Sequence, residues 1–418
     1  SVDSLDIQDA TSSVTLDGAV TTQTTIDINS GGSLTQNASV SAGSALDYDA
    51  VTIGINESIT TGTTVDIDTS GNTTTIAEAG DITAGGAVTF GANKSGTLTT
   101  AGEITTTDDD VTFTNAVTQS GDVAIDTGSG AGNILFKSTV ATADKNLTLD
   151  AGAAGNITAD KSITGGGAMT VVDGAVQKYS GVVTVDSLDI KDATTSVTLD
   201  GDVTTEAALD INTLTGKLIQ NAKVDAGTSL DYDAAKTIEI NNTIKSGTTI
   251  DIDATGVTTV AEAGDITASG AVTFGANKSG TLTTAGEITT TDDNVTFTNA
   301  VTQSGDVSID TGAGAGNILF KSTVATADKN LTLDAGSAGN ITAASSITGG
   351  GAMTVVDGAV QKYSGAITVD TLDIQDATTS VTLDGAVTTQ TTLDINSGGT
   401  LTQNKKVIAG TSLDYDAA

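Results

Sequence analysis

Short stretches in which apolar and polar residues alternate recur at nearly regular intervals along the chain. Each stretch has two apolar residues separated by one polar residue, and Gly, Asn, Asp and Ser flank it. A period of two is typical of a β-strand whose apolar side chains point inward and whose middle side chain points outward. The stretches in the middle of the chain are Leu188/Ile190, Leu209/Ile211, Leu230/Tyr232, Ile250/Ile252, Val272/Phe274, Val295/Phe297, Val307/Ile309, Leu331/Leu333, Met353/Val355 and Leu372/Ile374.

The spacing of these stretches predicts an all-β fold, a parallel β-solenoid of about 20 coils with roughly 19–24 residues per coil. One interval, from Val295 to Val307, is about half as long as the others, so we interpret 295–331 as one enlarged coil or as one coil and a half. A helical fold is disfavoured because Thr, Gly and β-branched residues dominate and no apolar stripe has a helical period. Tandem immunoglobulin-like sandwiches and a β-propeller are weaker alternatives, because the chain has neither linkers nor repeats of matching length.

The chain also contains a long internal duplication. Residues 81–181 and 265–365 differ at only seven positions, and successive copies of the longer unit cover 1–183, 184–367 and, in part, 368–418. No linker or change of composition separates the copies. We therefore expect one continuous solenoid rod over residues 1–418, which grows by duplication because each coil contacts only its neighbours.

The composition limits the possible functions. The chain has no Cys, Pro, His, Trp or Arg, and 16 Lys face 52 Asp and Glu, giving a net charge of -36. Catalysis near neutral pH commonly uses His, and nucleic acids or anionic membranes require clustered positive charge. No apolar run reaches the roughly 18 residues that suggest a membrane span. We predict that the segment is not an enzyme, binds no nucleic acid, inserts into no membrane and attracts cations.

Three stretches carry a family resemblance: 122–136 (DVAIDTGSGAGNILF), 146–158 (NLTLDAGAAGNIT) and 80–90 (GDITAGGAVTF). They resemble the repeats of filamentous-haemagglutinin-type adhesins and related giant bacterial surface proteins. The resemblance implies a right-handed parallel β-helix, export to the cell surface, and a role as an adhesive or structural fibre.

Acidic residues occupy the outward position in several consecutive coils. The first copy has Asp6, Asp27, Asp47 and Asp66 in this row, and the second has Asp189, Asp210, Asp231 and Asp251. Two coils of each copy carry another outward Asp two residues later, so stacking predicts patches of four carboxylates, about 5 Å by 7 Å. These candidate metal ligands are Asp47, Asp49, Asp66, Asp68, Asp231, Asp233, Asp251 and Asp253.

Oxygen ligands of this kind suit Ca²⁺ or another divalent cation, although no cofactor is required. The alternative is a solvated acidic face neutralised by diffuse salt. The sequence also predicts a row of stacked aromatic rings inside the solenoid, because matching inward positions carry Phe90 and Phe113 in one copy and Phe274 and Phe297 in the other. Tyr179 and Tyr363 lie beside lysines and are the candidates for exposed contacts with a partner.

Two functions remain open. The first is a structural segment of an extracellular fibre, stalk or sheath, whose partner is another copy of itself or a continuation of the same chain. The second is an adhesin module that binds glycans or another cell through repeated surface rows. Catalysis and ice binding are weaker alternatives, because a catalytic site needs unique residues and a flat Thr array needs coils of constant length.

Overall fold

The computed structural model describes all 418 residues and is a parallel β-solenoid of about 20 turns without helices. It has 57 strands. This confirms the all-β solenoid prediction and excludes the sandwich and propeller alternatives. The chain contains no helix that is long and apolar enough to span a membrane.

Two compact units make up the structure. The first comprises residues 1–206 and 211–215, and the second comprises 207–210 and 216–418. The single continuous rod stays a prediction. The strands of the first unit are β1 (Leu5–Ala10), β2 (Ser13–Leu16), β3 (Val20–Thr22), β4 (Ile26–Ser30), β5 (Ser33–Gln36), β6 (Val40–Ala42), β7 (Leu46–Ala50), β8 (Thr52–Ile55), β9 (Ile59–Thr61), β10 (Val65–Thr69), β11 (Thr73–Ile76), β12 (Ile82–Ala84), β13 (Val88–Phe90), β14 (Thr97–Thr100), β15 (Ile104–Thr106), β16 (Val111–Phe113), β17 (Val117–Gln119), β18 (Val123–Asp126), β19 (Ile134–Phe136), β20 (Val140–Ala141), β21 (Leu147–Asp150), β22 (Ile157–Ala159), β23 (Ile163–Thr164), β24 (Ala168–Asp173), β25 (Val176–Tyr179), β26 (Val183–Val185), β27 (Ser187–Ile190), β28 (Ser196–Leu199) and β29 (Val203–Thr205).

Strand β30 (Leu209–Thr213) has residues in both units. The strands of the second unit are β31 (Lys217–Gln220), β32 (Val224–Ala226), β33 (Leu230–Ala234), β34 (Ile238–Ile240), β35 (Ile244–Ser246), β36 (Ile250–Ala254), β37 (Val257–Val260), β38 (Ile266–Ala268), β39 (Val272–Phe274), β40 (Thr281–Thr290), β41 (Val295–Phe297), β42 (Val301–Asp310), β43 (Ile318–Phe320), β44 (Val324–Ala325), β45 (Leu331–Asp334), β46 (Asn340–Ala343), β47 (Ile347–Thr348), β48 (Ala352–Asp357), β49 (Val360–Tyr363), β50 (Ile367–Val369), β51 (Thr371–Ile374), β52 (Ser380–Leu383), β53 (Val387–Thr389), β54 (Thr392–Ser397), β55 (Thr400–Gln403), β56 (Val407–Ala409) and β57 (Ser412–Ala417).

Three strands make one coil of about 21 residues. In the first unit each strand pairs in parallel with the third strand after it, as β1 does with β4 and β4 with β7. The strands therefore form three rows, one on each face of the coil. Inward Ile, Val and Leu side chains of all three rows fill a thin core, because alternate residues of every strand point to the inside.

Phenylalanine rings stack inside each unit, as the sequence predicts. Phe90 and Phe113 have ring centroids 5.2 Å apart, and Phe113 and Phe136 are 4.8 Å apart, all nearly parallel. The second unit repeats this file with spacings of 5.3 and 4.8 Å in Phe274, Phe297 and Phe320. Register between neighbouring coils places each ring above the equivalent ring.

The short interval between Val295 and Val307 has a simple structural cause. Strand β41 pairs with β43, whereas 307–309 in β42 pair with β45. The two stretches thus belong to different rows, and each is separated from its own partner, Ile318 or Leu331, by one ordinary coil. The stretch 295–331 thus spans one coil and part of the next, as the interpretation of a coil and a half implies, whereas the alternative of one enlarged coil was wrong.

The duplicated sequence does not return to the same row of strands. The LDI stretch at 5–7 lies in β1, in the row of β4 and β7, whereas the copy at 188–190 lies in β27. Strand β27 follows β24 and β21 in the row that begins with β3. The 26 strands from β1 to β26 are not a multiple of three. Within the first unit, the LDI stretch that begins the second copy therefore lies on a different face from its equivalent in the first copy.

Candidate functional site

A ladder of aspartates runs along one face of the first unit. Asp6 is paired in register with Asp27, Asp27 with Asp47, and Asp47 with Asp66. Parallel strands lie about 4.8 Å apart, so the carboxylates are close neighbours that repel one another. The predicted acidic ladder of the first copy is confirmed, and it ends where Thr89 follows Asp66.

Four of these carboxylates form the first acidic cluster, Asp47, Asp49, Asp66 and Asp68. Strands β7 and β10 align Asp47 with Asp66 and Asp49 with Asp68. The second acidic cluster is Asp231, Asp233, Asp251 and Asp253, which β33 and β36 align in the same way. The structure thus brings together both groups of four that the sequence predicts.

A corner segment packs over part of the first acidic cluster and contacts Asp49 and Asp68. We call residues 91–96, between β13 and β14, the first lysine strap. Lys94 Nζ lies 2.6 Å from Asp49 Oδ1, and the backbone N–H of Asn93 donates to Asp68 Oδ2 at 3.1 Å. Asn115 Nδ2 donates to the Lys94 carbonyl at 3.1 Å. The backbone on both sides of the lysine side chain is therefore held in place.

The strap starts at Gly91, whose φ is 73°. This left-handed conformation suits glycine, and a Cβ at this position would collide with the Asn115 amide. Gly91 thus allows a tight turn at the end of β13, after which the chain passes over the carboxylates. Without that turn, Lys94 could not reach a strand two coils away.

The second unit repeats the arrangement. Residues 275–280 form the second lysine strap, in which Lys278 Nζ lies 3.0 Å from Asp233 Oδ1. The Asn277 N–H donates to Asp253 Oδ2 at 2.8 Å, and Asn299 Nδ2 donates to the Lys278 carbonyl at 2.8 Å. Two copies of the sequence therefore build the same arrangement of four aspartates and one lysine.

The straps bury one carboxylate of each cluster. Asp68 is 2 % exposed and Asp253 is 1 % exposed, and the Oδ1 atom of each has no hydrogen-bond partner. The alternative of a fully solvated acidic face is therefore wrong at these two residues, because a corner segment packs over them. Burying a carboxylate oxygen without a partner is costly, which marks both positions as sites of unusual chemistry.

Several carboxyls of the clusters bind protons unusually tightly. Burial, followed by the charges of Asp233 and then Asp210, raises the pKa of Asp231 to about 7. Burial and the charge of Asp253 raise the pKa of Asp251 to about 6. In the first cluster, partial burial and the charge of Asp49 raise the pKa of Asp47 to about 6. The clusters thus exchange protons near neutral pH.

These pKa values predict an unusual pH dependence of stability. The folded carboxyls keep protons up to pH 6 or 7, whereas carboxyls at the ordinary value of 3.8 lose them earlier. Stability contributed by these groups is therefore greatest at acidic pH and falls as pH rises from about 4 to about 7. We expect a lower melting temperature at neutral pH than near pH 5, measured by circular dichroism at constant ionic strength.

Asp231→Asn is expected to raise the melting temperature at neutral pH and to reduce the decrease in melting temperature between pH 5 and neutral pH. Asp160→Asn is the matched control, because Asp160 is exposed and the second copy has Ala344 at that position. The control should leave the pH dependence unchanged. A melting temperature that rises between pH 5 and pH 7 in both variants and in the unaltered protein would contradict this assignment.

The arrangement of carboxylates bears on the metal prediction. No group of three or more carboxylates is placed so that it could hold one metal ion. The cation that the structure does place against each cluster is a lysine ammonium. Binding of Ca²⁺ by Asp47, Asp49, Asp66, Asp68, Asp231, Asp233, Asp251 and Asp253 stays a prediction.

The expectation that Tyr179 and Tyr363 are exposed was wrong. They are 0 % and 1 % exposed, and their hydroxyls donate to the buried amides of Gln177 and Gln361 at 3.3 and 3.2 Å. In β25 the polar Gln177 points inward and the apolar Val176 points outward, which reverses the usual pattern. The tyrosines are core residues that satisfy a buried glutamine.

Sequence reasoning missed Lys94 and Lys278. The available signal was that both stand in the identical segment GANKSG, one in each copy, in a chain with only 16 lysines. Their partners, Asp49 and Asp233, lie two coils earlier in the chain, so no local pattern connects them. Only the stacking of coils brings each pair together.

Other acidic clefts on the surface have a structural role. Asp126, Asp150 and Asp173 line a cleft of about 310 Å³, and the second copy has an equivalent cleft. Asp126 Oδ1 accepts a hydrogen bond from the Gly128 N–H at 2.8 Å, and Asp150 Oδ1 accepts one from Gly152 at 3.0 Å. These carboxylates hold the corners of the coils.

The resemblance to filamentous-haemagglutinin-type repeats is supported only at the level of a parallel β-solenoid built from repeats. No family model, curated protein or solved structure matches the chain significantly.

Proposed function

We propose that this chain is a structural segment of an extracellular bacterial fibre, stalk or sheath. The observation that carries the proposal is the uniform architecture, in which every strand of a unit pairs with strands of the neighbouring coils. Such a fold gains length by adding coils, without a new core for each addition. Its partner is another copy of itself or a continuation of the same chain.

The surface supports this role. Outward positions carry Asp, Thr, Ser and Asn, and the net charge of -36 keeps the faces soluble. Carbohydrate-binding sites often expose aromatic rings. The phenylalanine rings of this chain are instead buried in the core. A charged surface around the apolar core of each unit suits a support element that resists sticking along its sides.

Electron microscopy and a glycan array test the proposal together. We expect the purified chain to form filaments at high concentration and to bind no immobilised glycan above background. Binding to defined glycans by dispersed, unassembled protein would contradict the structural role and favour the adhesin alternative. The same two measurements on the double variant Lys94→Gln/Lys278→Gln show whether filament formation depends on the lysines of the straps.

A further inference from the structure

The lysine straps place an amine against a carboxyl group in a setting that favours a covalent reaction. Lys94 Nζ and Asp49 Oδ1 are 2.6 Å apart, and Lys278 Nζ and Asp233 Oδ1 are 3.0 Å apart. We propose that each pair condenses to an amide, so that the chain carries two internal cross-links, Lys94 to Asp49 and Lys278 to Asp233.

The strap and strand β7 hold the two reacting groups close together. The Lys94 carbonyl accepts a hydrogen bond from Asn115, and the Asn93 N–H donates one to Asp68, so the strap is fixed on both sides of the lysine side chain, while β7 fixes Asp49. Groups held this way react with effective molarities as high as about 10⁵ to 10⁸ M. This advantage lets an amine and a carboxyl condense without prior activation of the carboxyl group.

The reaction also needs a group that accepts and returns protons. Asp68 is aligned with Asp49 on the neighbouring strand, is 2 % exposed, and has Oδ1 free of any hydrogen bond. Asp253 stands in the same relation to Asp233. A buried carboxyl group in this position is suited to general acid and base catalysis. Burial raises the pKa of the neighbouring Asp47 to about 6, so that this carboxyl takes up a proton just below neutral pH.

The atoms of the step balance. The ammonium of Lys94 passes one proton to the Asp49 carboxylate, and the neutral amine attacks Cγ of the resulting acid, so that the Nζ–Cγ bond forms. Asp68 takes the surplus proton from Nζ and gives it to the hydroxyl of the tetrahedral intermediate, which leaves as water when the Cγ–O bond breaks. The ion pair of one ammonium and one carboxylate becomes one amide and one water. No oxidant, reductant or further reactant takes part.

Other lysine and aspartate pairs of the chain provide a contrast. Lys178 and Asp200 are 3.4 Å apart, and Lys362 and Asp384 are 3.8 Å apart. These lysine side chains are 50 and 52 % exposed, whereas those of Lys94 and Lys278 are 29 and 24 % exposed. Neither contrast pair has a carboxylate that is nine-tenths buried aligned with its aspartate. We therefore assign cross-links to the two straps alone.

A cross-link of this kind would tie together coils that are otherwise held only by hydrogen bonds and packing. That mechanical benefit rests on the proposed structural function, but the bond itself does not. Loss of filaments with the bonds intact would refute the function alone, whereas filaments without the bonds would refute the cross-links alone.

Mass spectrometry of the denatured full-length chain tests the proposal. Each condensation removes one water, so we expect an intact mass lower than the sequence mass by two losses of about 18 Da each. Trypsin cleaves after lysine, and Lys94 is the first lysine of the chain, so the first cross-link should give one looped peptide, 1–137, uncut at Lys94, whereas the second should join 224–236 to 246–321. An intact mass equal to the sequence mass would overturn the proposal, as would water loss with normal cleavage after Lys94 and Lys278.

Variants assign the roles. Lys94→Gln should remove one of the two mass losses, and Lys178→Gln, the matched control, should remove none. Asp68→Asn should leave the first pair uncondensed while the second pair still condenses, so the surviving bond reports that the protein has folded. Full condensation at both sites in Asp68→Asn would overturn the role of Asp68.

Discussion

Phe113→Ala is expected to lower the free energy of unfolding by about 3 to 5 kcal/mol, as large-to-small replacements in a packed core do. Phe113 is the middle ring of its file, in contact with Phe90 on one side and Phe136 on the other. Its removal leaves a cavity between two rings and ends both stacking contacts. Because coils are stacked in register, neighbouring rings cannot move together without shifting their strands.

Denaturant unfolding, followed by circular dichroism, measures this effect. Thr112→Ala is the matched control, since Thr112 is the outward neighbour in the same strand and its replacement should change the stability by less than about 0.5 kcal/mol. Phe297→Ala should reproduce the loss in the second unit. Equal small effects of Phe113→Ala and Thr112→Ala would mean that Phe113 is not in the core.

Gly155→Ala is expected to destabilise the protein by roughly 4 kcal/mol or more, which places it among the exceptional substitutions. A Cβ at Gly155 would meet the carbonyl oxygens of Gly132 and Ala151 closer than carbon and oxygen can approach. Both atoms belong to the backbone, so no side chain can rotate away. The corner would have to move, together with the strand pairing beside it.

Gly54→Ala provides the control, because the nearest atom to its added Cβ is a side-chain methyl of Thr35 at 4.0 Å. We expect Gly54→Ala to melt at the same temperature as the unaltered protein or slightly above it, since alanine restricts the unfolded chain. Gly339→Ala should repeat the loss in the second copy. Indistinguishable melting of Gly155→Ala and Gly54→Ala would show that the corners are not packed as described.

The period of two in the sequence predicts most of the fold. It places Asp47 and Asp66 on outward positions, and the constant period brings them into register. The same rule wrongly predicts that Tyr179 is exposed. Gln177 points inward beside Tyr179, and because it is polar the strand lacks the usual alternation of apolar and polar residues. Burial of that glutamine depends on a hydrogen bond from Tyr179 within β25 and on another that Gln177 donates to the Asp192 carbonyl, 15 residues further along the chain.

The corner segments that join the strands could not be predicted from the sequence. A strap such as 91–96 has no alternation, and its contacts are made with a coil far earlier in the chain. The number of strands per copy could not be predicted either, because turns of different length give the same spacing between the alternating stretches. Thus the acidic clusters were predictable, whereas the lysines that cover them and the change of face between copies required the structure.

Electron diffraction from filaments of the purified chain tests whether stacked coils supply the length of the fibre. If stacked coils supply length, strands lie across the filament, and we predict a strong spacing of about 4.8 Å along the filament axis. Filaments with that spacing perpendicular to their axis, or dispersed particles without filaments, would contradict the account.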